Sequence, residues 1–217
     1  MDGNARWAVE NNLSKKEGYK KGLFKIKEII NICVEKKIKF LTLYALSSEN
    51  IKRSNINIIF EIIKTEFDNF YNQIIEEKKA RIRILGERKN LPKKVNDILN
   101  ELEEKTKNNK IINLNIAFNY GFINELISSI NKIIELNKKK STKINEKIIR
   151  NNLYIPSLPD PDILIRTGGY KRLSNFMLFQ LSYTELFFTK TLWPDFNKTE
   201  IDGIFNEYLN IERKYGL

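Results

Sequence analysis

The stretch that most constrains how this chain folds is Lys39-Phe-Leu-Thr-Leu-Tyr-Ala-Leu46, which is apolar on both of its alternating faces. Such a strand must be covered on both sides, as strands inside a parallel sheet are, and it is unsuited to a solvent-facing hairpin. Its surroundings keep the matching rhythm. Upstream, Leu23, Ile26, Ile30 and Cys33 share one face of a helix running from about Tyr19 to Lys36. Downstream comes a polar loop of Ser47, Ser48, Glu49, Asn50, Lys52 and Arg53. Ile56, Ile59, Phe60, Ile63, Phe67, Phe70 and Ile74 then form the stripe of a long amphipathic helix. Strand-like Arg81 to Leu85, Ile112 to Phe118, Ile163 to Ile165 and Glu185 to Phe188 alternate with helix-like Lys93 to Lys107, Asn124 to Leu136 and Thr199 to Lys214. Ser174 to Tyr183 also reads as a short helix. This alternation predicts an α/β fold, a mostly parallel sheet flanked by helices. With 217 residues, 41% of them hydrophobic, the chain fits one domain spanning 1–217.

Ligands of open parallel sheets bind beyond the carboxyl ends of the strands. The loops that begin at Ser47, Asn119 and Arg166 leave that edge, and so does the turn at Asp2 if a strand precedes it, as expected. The edge then gathers Asp2, Asn4, Arg6, Ser47, Asn50, Arg53, Arg166, Arg172 and Ser174. Arginine forks match phosphate oxygens, and the glycines of Arg166-Thr-Gly-Gly169 let backbone approach a ligand. The set suits a diphosphate with Mg²⁺, although an exposed Gly-Gly turn with solvated charges has the same composition. The Ile56–Ile74 stripe and the helix over 23–33 read as ordinary core or as the wall of an apolar slot. Trp7 reads as a hydrophobic staple or as a substrate contact.

There is no Walker-type loop, no Gly-x-Gly-x-x-Gly fingerprint and no histidine. Lys and Arg outnumber Asp and Glu by 38 to 27, a net charge of +11. That favours a polyanion (nucleic acid, an anionic membrane surface or a phosphorylated substrate), or reflects a general richness in lysine. A nucleic-acid module would interleave aromatics with its basic face, whereas here the aromatics follow apolar stripes, so no nucleic-acid partner is expected. The one cysteine, Cys33, lies on a helix face and suits a reducing, cytoplasmic setting. No apolar run is long enough to span a bilayer.

Six segments in order carry a resemblance: Met1-Asp-Gly-Asn-Ala-Arg-Trp-Ala8, Leu41 to Asn50, Leu114 to Gly121, Pro159-Asp-Pro-Asp-Ile-Leu-Ile-Arg-Thr-Gly-Gly169, Arg172-Leu-Ser-Asn-Phe176 and Leu192-Trp-Pro-Asp-Phe196. Together they resemble the cis-prenyltransferases of the undecaprenyl diphosphate synthase type, along essentially the whole chain. The resemblance implies a sheet of about six strands, an apolar tunnel, a homodimer and a dependence on Mg²⁺. It implies condensation of isopentenyl diphosphate onto an allylic diphosphate such as farnesyl diphosphate, with cis geometry. By position, Asp2 would bind the metal with help from Glu185, and Asp2, Ser47 and Asn50 would serve catalysis. Gly3, Asn4, Ala5 and Arg6, with Trp7, Lys15, Tyr19 and Arg53, would face the allylic substrate; Arg166, Arg172 and Ser174 would hold isopentenyl diphosphate. The chain departs from the family at Lys15 and Tyr19, where Arg and His are common, at Ile51, where Trp is usual, and at Tyr170, where Glu is common. A non-catalytic, partner-type subunit is the alternative, but such subunits lose the aspartate and arginines kept here. The long apolar product would bring peripheral membrane contact.

Overall fold

The computed structural model describes residues 1–52, 56–75, 79–138 and 143–212. Helix α1 (Asn4–Glu10) is followed by α2 (Lys15–Glu35), β1 (Phe40–Ser47), a 3-10 turn at Asn50–Lys52 and α3 (Ile56–Ile75). Then come β2 (Ala80–Leu85), α4 (Lys93–Thr106), β3 (Ile112–Tyr120), α5 (Phe122–Asn137) and α6 (Glu146–Asn152). The chain continues through β4 (Ile163–Arg166) and β5 (Glu185–Phe188) to α7 (Lys198–Leu209).

Helix α2 starts a turn before its apolar stripe because Ser14 and Glu17 form a reciprocal capping box there. Asn145 and Asn197 cap α6 and α7 by accepting from Ile148 N and Glu200 N. The polar composition of α6 gives it little hydrophobic period, and it was not expected from the sequence.

All five strands foreseen in the sequence form, and every pairing is parallel. They do not make one sheet of about six. Strands β1, β3 and β2 form a three-stranded sheet in that order, while β4 and β5 form a separate pair. Asp2 is fastened by backbone bonds, donating to Thr167 Oγ1 at 3.0 Å and accepting from Trp193 N at 3.0 Å.

The three-stranded sheet has two differently packed faces. Leu43, Ile82, Ile84, Leu114 and Ile116 join Ile26, Ile30, Phe60, Phe70, Val95 and Leu99 in the larger core, toward α2, α3 and α4. The stripe on α3 is part of it: Phe60 and Phe70 are buried, and Ile56, Ile59, Ile63 and Phe67 pack partly buried against them. The side chain of Ile74 lies outside the described residues, as do 139–142 of the foreseen surface loop and the tail from 213. On the other face a smaller cluster joins Leu85, Ala117, Tyr120 and Met177 with Tyr44, Tyr154 and Phe176. Across that face, in register, Arg83 Nε donates to Asn115 Oδ1 at 3.0 Å, and Asn115 Nδ2 donates to Thr42 Oγ1 at 3.3 Å.

The short helix expected over Ser174 to Tyr183 does not form. Ser174, Asn175 and Met177 have φ of 52°, 61° and 43°, in the left-handed region, so a right-handed helix cannot run through them. The segment turns tightly and brings Ser174 and Asn175 back to the carboxyl edge of the strands.

Candidate active site

Three loops meet beyond the carboxyl ends of β1, β3 and β4. Ser48 N donates to Tyr120 O at 2.8 Å, and the Tyr44 hydroxyl reaches Tyr120 O at 3.0 Å and Ser174 O at 3.4 Å. Asn175 is the tie among them. Its Nδ2 donates to Glu49 Oε1 at 2.8 Å, its Oδ1 accepts from Ile123 N at 3.0 Å, and its carbonyl accepts from Phe122 N at 2.8 Å. One asparagine thus joins the loop after β1, the start of α5 and the loop after β4. Burial pushes the Glu49 carboxyl up, but the bonds from Asn175, its own backbone and Ser47 and Ser48 outweigh that and leave it below its ordinary value. Burial raises the phenols of Tyr44 and Tyr120, so both stay protonated donors.

Arg166 is the last residue of β4 and points into this edge. Its Nη1 donates to Ser174 Oγ at 2.8 Å and to the Arg172 carbonyl, and its Nη2 to Asp2 Oδ2 at 3.1 Å. Arg172 Nε donates to the same Ser174 hydroxyl at 3.3 Å, and Arg6 Nη2 lies 3.4 Å from Asp2 Oδ1. Thr167 fixes the aspartate by donating through Oγ1 to Asp2 O at 3.0 Å while accepting from Asp2 N. Gly168 and Gly169 follow with φ of 86° and 83°, where a side chain is strained. A Cβ on Gly168 would also stand 2.5 Å from Arg6 Nη2. The outcome is three guanidiniums, one carboxylate and one hydroxyl within hydrogen-bonding reach of one another, open to solvent on one side. That arrangement binds a polyanion by paired, charge-assisted bonds.

Asp2, Arg6, Arg166, Arg172 and Ser174 therefore come together. Ser47 ends β1 and Asn50 opens the 3-10 turn that follows, and Ser47 Oγ accepts from Asn50 N at 3.2 Å. Gly3 begins α1, and Ala5 and Arg6 are in its first turn. Asn4 is nearby but turns away. Its side chain faces Gly22 of α2, whose missing Cβ leaves room for Asn4 Oδ1. Trp7 Nε1 donates to Asp195 Oδ1 at 2.7 Å, on the side of the Leu192–Phe196 segment. Lys15 and Tyr19 stand in the first turns of α2, flanking Gly18, which closes against the Asn4 carbonyl. Arg53 lies outside the described residues. Glu185 opens β5, opposite Ile163, at the amino end, whereas Arg166 pairs with Phe188 at the carboxyl end. At about 3.3 Å per residue that offset is roughly 10 Å, so Glu185 does not join Asp2 through the strand pair of one chain. Among the described residues no three carboxylate, cysteine or histidine side chains cluster as a metal cage. No described helix is long and apolar enough to cross a membrane. Thr167, Glu49 and Asn175 were not assigned roles from the sequence. The one advance sign was that they fall inside the Arg166–Gly169, Leu41–Asn50 and Arg172–Phe176 segments.

A parallel α/β fold with an arginine-rich, aspartate-bearing cradle at the strand ends is the architecture of a family of diphosphate-handling transferases. Residues 1–216 match the family model described as "Putative undecaprenyl diphosphate synthase". The chain belongs to that family and is a prenyltransferase, an enzyme of prenyl-chain elongation. It is 40% identical over 222 residues to the isoprenyl transferase of Rickettsia typhi, covering 100% of this chain and 95% of that protein. The isoprenyl transferase of Fusobacterium nucleatum is 38% identical, with 100% and 93% covered. Among solved structures, a probable undecaprenyl diphosphate synthase from Campylobacter jejuni superposes with a TM-score of 0.81 at 36% identity, over 91% of this chain and 92% of that one. Lavandulyl diphosphate synthase from Lavandula x intermedia, in complex with dimethylallyl diphosphate, superposes with a TM-score of 0.91 at 27% identity, over 100% and 95%.

Proposed function

We propose that the chain condenses isopentenyl diphosphate onto an allylic diphosphate, with farnesyl diphosphate as primer. It makes cis double bonds and a long polyprenyl diphosphate such as undecaprenyl diphosphate. The observation that carries this reading is the convergence of Arg166, Arg172 and Ser174 on the space beside Asp2. Isopentenyl diphosphate sits in that arginine cradle. The allylic diphosphate faces the turn of Gly3, Ala5 and Arg6, with Trp7, Lys15 and Tyr19 around it, and Ser47 and Asn50 lie between the two.

In the reaction the allylic C–O bond breaks, a C–C bond forms to the terminal alkene carbon of isopentenyl diphosphate, and that substrate loses a proton. Negative charge grows on the departing diphosphate, and fixed arginines beside it lower the barrier by answering that charge without reorganising. The departing diphosphate, an oxyanion beside the reacting carbons, serves as proton acceptor. Mg²⁺ fits the donor set, because this ion is commonly held by one or two carboxylates together with phosphate oxygens and water. The Asp2 side chain is 36% exposed and has carboxylate lone pairs to spare. Asp2 would hold the ion, which would add positive charge against the leaving group.

The growing chain is taken up along α3, where Ile56, Ile59, Ile63 and Phe67 offer a partly buried apolar stripe. The molecule works as a homodimer joined through α5, where Ile123, Ile127, Ile130 and Ile134 form an exposed stripe, each 44% or more accessible. A second copy supplies the same stripe, as a self-complementary twofold contact requires. Product release brings peripheral contact with a membrane. The test is to characterise the product from farnesyl and isopentenyl diphosphates by chain length and by NMR of its new double bonds. A ladder of long cis products that needs Mg²⁺ supports the reading, and trans products or none would refute it.

A further inference from the structure

Arg6, Arg166 and Arg172 come from the start of α1, the end of β4 and the loop beyond Gly169, yet all three lie over one ring. The centroid of Tyr170 is 5.1 Å from Cζ of Arg6, 5.7 Å from Cζ of Arg166 and 4.4 Å from Cζ of Arg172. Tyr170 is 44% exposed, so the ring is a wall of the cradle and not a piece of the core. Three guanidiniums brought together repel one another, and Asp2 contacts two of them, Arg6 and Arg166. The closest to the ring is Arg172. An aromatic face attracts each cation electrostatically and leaves its charge available to an incoming anion. A carboxylate in the same place would bind the arginines more strongly and would compete with the ligand for them.

We propose that Tyr170 is a positioning residue for diphosphate binding, its ring holding Arg166 and Arg172 toward isopentenyl diphosphate and Arg6 toward the allylic diphosphate. This deepens the reading of the cradle given above and rests on it. The ring acts before the ligand arrives, by limiting the directions the three side chains explore. Its removal therefore weakens substrate capture more than it slows the bond-making step.

The experiment is a calorimetric titration of the full chain with inorganic diphosphate, comparing wild type with Tyr170→Phe, Tyr170→Leu, Tyr170→Ala and Arg166→Ala. Tyr170→Phe keeps the π face and is expected to bind within about twofold of wild type, while Tyr170→Leu and Tyr170→Ala bind about tenfold more weakly. The KM for isopentenyl diphosphate should rise in parallel while kcat stays within about twofold. NMR of the arginine Hε resonances gives a ligand-free readout: the ring-current shift on Arg172 persists in Tyr170→Phe and disappears in Tyr170→Leu. Wild-type affinity in Tyr170→Leu, with binding lost in Arg166→Ala, would overturn this inference and leave the cradle standing. Absence of diphosphate binding by the wild type would overturn both.

Discussion

Arg166 does more than supply charge, because its two terminal nitrogens are committed to different partners, Ser174 and Asp2. A lysine there keeps the charge but cannot serve both at once. Arg166→Lys should therefore lose roughly 1.5–3 kcal/mol of substrate binding, the range of a hydrogen bond to a charged group. Steady-state kinetics should show KM for isopentenyl diphosphate raised by about 10- to 100-fold. Gly168 permits a second prediction. Its φ of 86° and its closeness to Arg6 mean that Gly168→Ala strains the turn and displaces a cradle arginine. The variant should lose roughly 1–2 kcal/mol of stability, seen by thermal melting, together with weaker diphosphate binding. Arg166, Arg172 and Ser174 could be singled out in the sequence only with the family resemblance, because an exposed Gly-Gly turn with solvated charges has the same composition. Thr167 and Asn175 were not singled out, because their contribution is backbone-directed hydrogen bonding that depends on where distant segments fall. Glu185 was placed at the site by motif position, although heading the strand Glu185–Phe188 of a parallel sheet already set it at the amino end.

At the scale of elements, the site depends on how loops are tied across strands. Asn175 ties the loop after β1 to the loop after β4 through Glu49. The Glu49 carboxyl is held below its unfolded value of 4.5. A depressed carboxylate stabilises the fold above its unfolded value, and that stabilisation is lost as pH falls through the lower folded value. Wild type should then be more stable than Glu49→Gln at neutral pH, with the gap closing as the medium is acidified below 4.5. Denaturant midpoints measured across that range check it, and a gap that widens in acid would contradict it. Beneath the loops, Glu125 is 1% exposed and accepts from the Tyr120 hydroxyl at 2.6 Å and from Tyr154 N at 2.9 Å. Glu125→Ala leaves two inward-facing donors without a partner and should cost about 2–5 kcal/mol in urea unfolding. The α2, α3, α4, α5 and α7 helices were legible from their apolar period, and the five strands from short apolar or alternating runs between them. The turn at Ser174–Met177 looked helical because its side-chain pattern is helical, and only its left-handed backbone angles show otherwise.

At the scale of the molecule, one face of the main sheet serves the core and its carboxyl edge serves the chemistry. Among the described residues several lysines pair locally, as Lys16 does with Glu61, Lys25 with Glu28 and Lys138 with Glu135. The apolar excess concentrates along α5. Ile130→Asp places a charge in the middle of that stripe without disturbing the core, because Ile130 is 44% exposed. Size-exclusion chromatography with light scattering should give a dimer for wild type and a monomer for the variant. That β1, β3 and β2 pair in parallel was foreseen from the alternation of strands with helices, and their order was not. Nor was their separation from β4 and β5, since strand pairing depends on contacts between segments distant in sequence. The most direct measurement of the central claim is incorporation of labelled isopentenyl diphosphate into extractable product, primed by farnesyl diphosphate, in wild type, Asp2→Ala and Arg166→Ala. The account predicts long labelled product from wild type and a loss of 100-fold or more, roughly 3 kcal/mol, in each variant. Incorporation at wild-type rate in both variants, shown to be folded, would contradict it.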